Sequence, residues 1–281
     1  MNIKANIFGP FVGSISWEMY NFAPYAIYLK KEDPATQLIV YTRPDRFDLY
    51  GSYANTLIPL RIKNDNSTYH HKFALNGLDI NSYKKMAGMV NRKYKPYRDI
   101  QHHIYPNISG NSHEVRWQFP RSKMNYDFKP RQSNEVLIDK LVGDDKIIFI
   151  DLSGFYFEES FYFLTKLDKL FDKNISFICY NPCNVDCDLL FSSRKIINLH
   201  KFNHKDNTSI IGCSIVAIKK ASITISMNLS EISHLSLLLG KKLYLCRNYD
   251  PEFVKLINPN NTKISLVDDL YEEKPIEKFD L

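Results

Sequence analysis

The sequence predicts an α/β chain of two Rossmann-like domains facing a cleft, on three observations. Short continuous apolar runs such as Leu38-Ile39-Val40-Tyr41 and Ile147-Ile148-Phe149-Ile150 have the composition of parallel strands covered on both faces. They alternate with segments that repeat apolar residues at helical spacing, the order of a doubly wound sheet. A charged stretch carrying Pro96, Pro106, Pro120 and Pro130 interrupts any long element and divides the chain into residues 1–133 and 134–281.

The first domain opens as strand, loop, helix and strand. Ile3 to Phe8 reads as a strand ending at Gly9, and a helix follows through Ser16 to Lys31. Pro24 falls inside that helix and should kink or divide it, because proline lacks an N–H and clashes with the preceding turn. Leu38 to Tyr41 is the second strand, and Thr56 to Leu60 a third. Ser82 could cap a helix that carries Lys84, Lys85, Met86, Met89, Val90, Arg92 and Lys93. The stretch from about 96 to 134 is read as a linker.

Alternation resumes in the second domain with a strand at Lys146–Asp151, a turn at Ser153-Gly154 and a helix over 158–171. Strands follow at 175–180 and 195–199, then a helix over 210–221 and a strand at 223–226. A helix over 230–239 closed by Gly240 and a strand at 242–246 complete the series.

Composition narrows the function classes. With 281 residues, 44% hydrophobic and only 10 glycines, the chain can bury a large core and is neither disordered nor collagen-like. No apolar run approaches the roughly 18 residues of a membrane-spanning helix, and Met1 to Lys4 does not open an apolar leader. The expectation is a cytoplasmic protein, in the host cytoplasm if it is viral, without membrane insertion. Five cysteines, all in the second half, argue against a secreted disulfide scaffold. Charge is uneven: residues 1–133 carry 19 Lys and Arg against 10 Asp and Glu, net +9, and the remainder 18 against 21, net −3. The basic half is suited to an anionic partner.

The stretch from Ile223 to Lys242 carries the strongest functional signal. A strand exits into the turn Met227-Asn228-Leu229, and a helix begins at Ser230 with Glu231 and His234 on the face of its first turn. A helix start above the strand ends of an open α/β sheet is a place where phosphates bind. Simple capping by Ser230 or Asn228, with His234 in the core, is the alternative.

That order of elements, with a His in the first turn and Leu-Leu-Gly-Lys-Lys after it, resembles the nucleotide-sugar domain of GT-B glycosyltransferases, in particular the lipopolysaccharide heptosyltransferase group. In that group the turn reads Asn-Asp-Ser/Thr-Gly-Pro-x-His; here it is one residue longer and has no Gly-Pro. The loop from Gly9 through Gly13 and Ser14 to Trp17 and Glu18 is similar to the Gly-x-x-Gly-Asp/Glu loop that opens the acceptor domain of the same enzymes. The resemblance implies transfer of a sugar from a nucleotide sugar to a hydroxyl group. Ser153, Gly154, Asn228, Ser230, Glu231 and His234 would bind the donor and Glu18 would act as general base. Gly13, Trp17, Arg43, Arg46 and Arg121 would contact acceptor or phosphate. No metal or other cofactor is required, because helix ends and basic residues can offset the diphosphate charge. Similar proteins of bacteriophages are thought to glycosylate modified bases, which makes hydroxymethylated DNA the first acceptor and a surface or lipopolysaccharide-type glycan the second. The alternative for Glu18 is an exposed first-turn carboxylate favoured by the helix dipole.

Two further patterns point elsewhere. Cys183, Cys187, His200 and His204 have the spacing of a Cys2His2 zinc finger, the module of a non-catalytic nucleic-acid-binding protein. Against it, Lys195 to Leu199 reads as a strand where a finger needs a helix. Basic residues interleaved with aromatics, at 83–85, 92–98 and 116–123, suit nucleic acid or an ordinary solvated face. The adjacent pairs His70-His71 and His102-His103 would diverge in a strand and form no metal site.

Overall fold

The computed structural model describes residues 3–11, 15–60, 80–96, 98–106, 119–154, 157–182, 194–202, 208–246 and 264–266. The chain forms two compact units, 1–131 and 132–281. Each is built on its own parallel sheet.

In the first unit β1 (Ile3–Phe8) leads to α1 (Ile15–Trp17), which runs through a π-helical turn (Glu18–Phe22) into α2 (Ala23–Glu32). Then come β2 (Gln37–Thr42), a 3₁₀ turn (Pro44–Arg46) that enters α3 (Phe47–Tyr50), β3 (Thr56–Pro59), α4 (Ile80–Tyr94) and β4 (Arg98–Ile104). The sheet order is β3-β2-β1-β4. Alternation along the strands turns Ala5, Ile7 and Ile39 to one face, where they pack with Val90 of α4.

Pro24 divides the first helix as expected, and the bonding shows how. Widening at the π turn lets Ala23 N–H reach the Glu18 carbonyl. The Tyr20 carbonyl, four residues before Pro24 and denied its N–H, accepts instead from the Tyr126 hydroxyl at 3.2 Å. The expected linker is corrected: β4 lies inside it and Pro96 and Pro106 flank the strand. No residue of this edge strand is fully buried, so its sequence Arg-Asp-Ile-Gln-His-His-Ile carries no apolar run. The last segment of the unit is tied back by Arg131, whose Nε and Nη2 donate to Asp48 at 2.9 and 2.7 Å. Gly51 allows this with φ +47; a Cβ there would lie 1.6 Å from the Lys129 carbonyl oxygen.

The second unit runs α5 (Gln132–Val142), β5 (Lys146–Asp151), α6 (Phe157–Leu170), β6 (Ile175–Tyr180) and β7 (Ile196–Asn198). It continues with α7 (Ile210–Lys220), β8 (Thr224–Ser226), α8 (Glu231–Leu238), β9 (Leu243–Leu245) and β10 (Ile264–Leu266). The order is β10-β9-β8-β5-β6-β7. Ile148, Ile150, Phe163, Leu167, Phe177 and Ile225 lie in its main core cluster.

Arg194 closes the end of α6. Its guanidinium is buried against the ring of Phe177 and donates to the carbonyl oxygens of Asp168, Phe171, Asp172 and Ile175 at 2.6 to 3.1 Å. It also pairs with the Asp168 carboxylate. A buried charge is tolerable here because the carbonyls that end the helix have no partners within it.

Candidate functional site

Topology marks one place in each sheet. In the second unit the chain goes from β5 outward through β6 to β7, then crosses to β8 on the other side of β5. The strand order therefore reverses between β5 and β8. Outside the carboxyl ends of such a pair the two following loops separate and leave a crevice. The loops here begin at Leu152 and Met227, and they contain Ser153, Gly154, Asn228 and Ser230.

A single carboxylate joins the two loops. Asp151, the last residue of β5 and fully buried, accepts from the Ser153 N–H at 2.9 Å through Oδ1. Its Oδ2 accepts from the Ser230 hydroxyl and lies 3.2 Å from Ser226 Oγ. Burial holds the Asp151 carboxyl above its ordinary range, against the pull of these hydrogen bonds. The sequence reading placed Asp151 in the strand and gave it no role. The available signal was an acid at the end of an apolar strand, followed at once by Ser-Gly.

Ser230 is the N-cap of α8. While its hydroxyl donates to Asp151, its oxygen accepts from Ile232 and Ser233 N–H at 3.0 and 3.1 Å. Ser233 Oγ returns the bond by accepting from Ser230 N–H at 2.6 Å, completing a capping box. The helix start is therefore not a bare row of N–H groups, since two of them already serve the cap. The positive end of the helix dipole remains. Asn228, Ser230 and Glu231 are half-buried at the rim and Gly154 is exposed, so this rim is not packed shut. Gly154 has φ +78, and a Cβ would lie 3.4 Å from Asn228 Nδ2, bringing the two loops edge to edge. Ser153 is 6% exposed, and its side chain lies beside the Asp151 carboxylate, whose pKa it helps to lower. His234 is placed differently from the expectation. It is 2% exposed, so its ring packs inside the unit rather than at the rim.

In the first unit the order reverses between β1 and β4, and Glu18 lies on the helical segment that follows β1. It is not the exposed first-turn carboxylate of the alternative reading. Glu18 opens the π turn, is fully buried, and has both oxygens occupied. Oε2 accepts from Arg46 Nη1 at 3.1 Å and Oε1 from the Tyr50 hydroxyl at 2.8 Å. Burial raises its pKa, although Arg46 and the Tyr50 hydroxyl both pull it down. The Tyr50 hydroxyl is in turn held well above its usual range by burial and by the Glu18 charge.

Arg46 is a correction. Expected to reach a phosphate from a strand end, its side chain is 1% exposed and sits against Glu18. Its position at the end of the 3₁₀ turn points it inward, where it offsets the charge of the buried Glu18 carboxylate. Arg43 pairs with Asp45 at 3.2 Å with 11% of its side chain exposed. Trp17 is half-buried, and Arg121 is exposed in a 3₁₀ turn. Gly13 lies outside the described residues.

Of the zinc pattern, Cys183, Cys187 and His204 lie outside the described residues. His200 follows β7 in a 3₁₀ turn, its Nδ1 accepts from Asn181 N–H at 3.2 Å and its ring meets Tyr180 edge-on. The residues before it form a strand and no finger helix. Among the described residues no three His, Cys, Asp or Glu side chains are grouped to hold a metal ion. His102 is exposed while His103 turns in, its Nε2 3.0 Å from the Gly9 carbonyl oxygen. His70 and His71 lie outside the described residues. No described helix is long and apolar enough to cross a membrane.

No family profile and no curated protein matches the sequence. Solved structures do match the fold. The family 9 glycosyl transferase of Veillonella parvula DSM 2008 superposes with a TM-score of 0.52 at 12% identity, over 95% of this chain and 86% of that one. The E. coli ADP-heptose lipopolysaccharide heptosyltransferase II gives 0.50 at 9% identity, over 97% and 95%. E. coli heptosyltransferase WaaC with ADP gives 0.50 at 9% identity, over 93% and 92%. Likeness at this identity establishes the architecture, and the chain has the GT-B fold.

Proposed function

We propose that the protein is a glycosyltransferase that moves a sugar from a nucleotide-sugar donor to a hydroxyl acceptor. The observation that carries the reading is the reversal of the sheet order beside the start of α8, where one carboxylate, Asp151, ties together the two loops that flank the crevice. A crevice at such a reversal is where an open α/β sheet takes its ligand, and the adjoining helix dipole favours an anion. The donor diphosphate is assigned to the loops of Ser153, Gly154, Asn228 and Ser230. Two chains of the same fold, the E. coli heptosyltransferases, are named for ADP or for an ADP-linked sugar, which supports a nucleoside diphosphate as the ligand class.

In the reaction the acceptor oxygen attacks the anomeric carbon, the bond from that carbon to the diphosphate oxygen breaks, and the acceptor proton passes to a base. We assign the base to Glu18. Burial makes its carboxylate more basic than a surface glutamate, the direction that favours a general base, and π turns recur at functional sites. Because the carboxylate is covered, the acceptor must displace what covers it. A purely structural Glu18–Arg46–Tyr50 network is the competing reading. The acceptor hydroxyl is assigned to a polyanionic carrier, matching the net +9 of residues 1–133: a hydroxymethylated base in DNA, or a surface or lipopolysaccharide-type glycan.

The test is calorimetry with nucleoside diphosphates, followed by mass spectrometry of both acceptors after incubation with a panel of nucleotide sugars. Asn228→Ala should weaken diphosphate binding at least tenfold. Glu18→Gln should abolish transfer and leave binding intact. Undiminished turnover in Glu18→Gln would make the network structural, and absence of binding to every nucleotide would end the transferase reading.

A further inference from the structure

The α4 helix carries a charge pattern that neither the donor loops nor Glu18 uses. Between residues 80 and 98 there are six Lys or Arg and no Asp or Glu. Five of them, Lys84, Lys85, Arg92, Lys93 and Lys95, are exposed. The opposite face buries Tyr83, Ala87 and Val90 against the sheet, which fixes the basic side toward solvent. In the middle of that basic side Met89 is 51% exposed. The same methionine lines a cavity of about 160 Å³ together with Tyr41, Ile58, Met86, Lys93 and Tyr94. An apolar cleft thus continues outward into a protruding methionine ringed by cations.

We propose that this face of α4 docks on a lipid bilayer that carries anionic headgroups. Basic residues at such a surface attract acidic lipids within a Debye length, and an apolar side chain among them enters the boundary between headgroups and acyl chains. Methionine suits that position because its flexible thioether adapts to a disordered medium. Nucleic acid fits less well. Binding of single strands needs flat rings on which bases stack, but Tyr83 is buried and the half-buried Tyr94 has Lys93 Nζ 5.6 Å from its ring centroid. The docking face shares its cations with the charge matched to the acceptor, but not with the donor loops or Glu18, so donor binding and proton transfer stand or fall apart from it.

The experiment is co-sedimentation of the full chain with vesicles of phosphatidylcholine alone and of phosphatidylcholine with phosphatidylglycerol, at low and high salt. The protein should partition only onto the anionic vesicles and leave them as salt rises. The triple variant Lys84→Gln, Lys85→Gln, Arg92→Gln should lose roughly a hundredfold in partition, at about fivefold per cation. Met89→Ser should lose severalfold with its charge unchanged, and circular dichroism should show both variants folded. The proposal is overturned if the wild type does not sediment with anionic vesicles, or if the triple variant partitions as the wild type does. Tight binding of a single-stranded oligonucleotide, indifferent to Met89→Ser and without vesicle binding, would assign the face to nucleic acid instead.

Discussion

Replacing Asp151 tests whether one buried carboxylate holds the two loops of the candidate donor site together. Three donors surround it: the Ser153 N–H, the Ser230 hydroxyl and the Ser226 hydroxyl. In Asp151→Ala the Ser226 hydroxyl keeps an alternative acceptor, the Asn228 carbonyl oxygen at 2.7 Å, and is not orphaned. The Ser153 N–H and the Ser230 hydroxyl are, and each lost partner costs about 1 to 3 kcal/mol. The expected destabilisation is therefore roughly 2 to 6 kcal/mol, with nucleoside diphosphate affinity falling at least tenfold as Ser153 and the start of α8 drift apart. Asp151→Asn keeps one acceptor oxygen and should cost about 1 kcal/mol at neutral pH. The pH dependence has a definite sign. Burial raises the folded pKa above the unfolded one, so across that interval the native state holds a proton that the unfolded chain has released. Stability from this group is complete below the unfolded pKa and declines as pH rises through the folded pKa. The amide does not titrate, so the deficit of Asp151→Asn relative to wild type should be largest in acid and shrink toward neutrality. Every other carboxylate contributes equally to both proteins and cancels in the difference. Urea unfolding followed by circular dichroism, at acid and neutral pH, measures that difference. A deficit that grows with pH, or an Asp151→Ala protein within about 0.5 kcal/mol of wild type, would refute the reasoning.

Three other substitutions separate site from scaffold. Gly154→Ala forces a side chain to φ +78 and toward Asn228 Nδ2; it should cost about 1 to 2 kcal/mol and weaken diphosphate binding in the same calorimetric assay. Arg46→Met leaves Glu18 buried without its countercharge and should destabilise by about 3 to 5 kcal/mol at neutral pH. The loss should ease as pH falls and Glu18 protonates, seen as converging urea midpoints. Arg194→Met strips four carbonyls and Asp168 of their donor and should cost about 3 to 5 kcal/mol. Lys173→Ala, an exposed partner of the same Asp168, should change unfolding by under about 1 kcal/mol.

What could be read from the sequence follows from what burial does to composition. Strands covered on both faces, such as β2, β5 and β6, have to be apolar throughout and were legible within a residue or two. The edge strand β4 does not, and it hid inside the presumed linker. The capped turn at Ser230 was visible because a serine before an apolar helix has one obvious use. Asp151 was not, because its role depends on the pairing of β5 with β8, 75 residues away through Ser226, and local spacing does not encode that pairing. Glu18 was picked out by its loop, but its surroundings were misjudged for the same reason. Arg46 and Tyr50 reach it from 28 and 32 residues further along, and neither shows in the sequence around Glu18.

The two units solve one geometric problem by different chemistry. In each, the loop after the first strand lies beside the loop after a strand that has crossed over, and something must fix the spacing between them. The first unit uses uncharged groups: Gly9 N–H donates to the Ile104 carbonyl at 2.7 Å, and His103 Nε2 contacts the Gly9 carbonyl. The buried charged pair near this end, Glu18 with Arg46, is neutralised internally. The second unit uses a carboxylate that has only hydroxyl and N–H partners among the contacts described for it, so its negative charge persists behind the loops whenever Asp151 is ionised. A bound diphosphate would add charge of the same sign in front of them, and the two are compatible only if donors stand between. Ser153 N–H and the Ser230 hydroxyl occupy that position: they face the carboxylate, while the end of the α8 dipole is left for the ligand. Diphosphate binding should accordingly raise the proton affinity of Asp151 further and take up protons. Calorimetry in buffers of different ionisation enthalpy would register that uptake, and it should vanish in Asp151→Asn. Uptake that persists in the amide variant would place the titrating group elsewhere and separate Asp151 from the ligand.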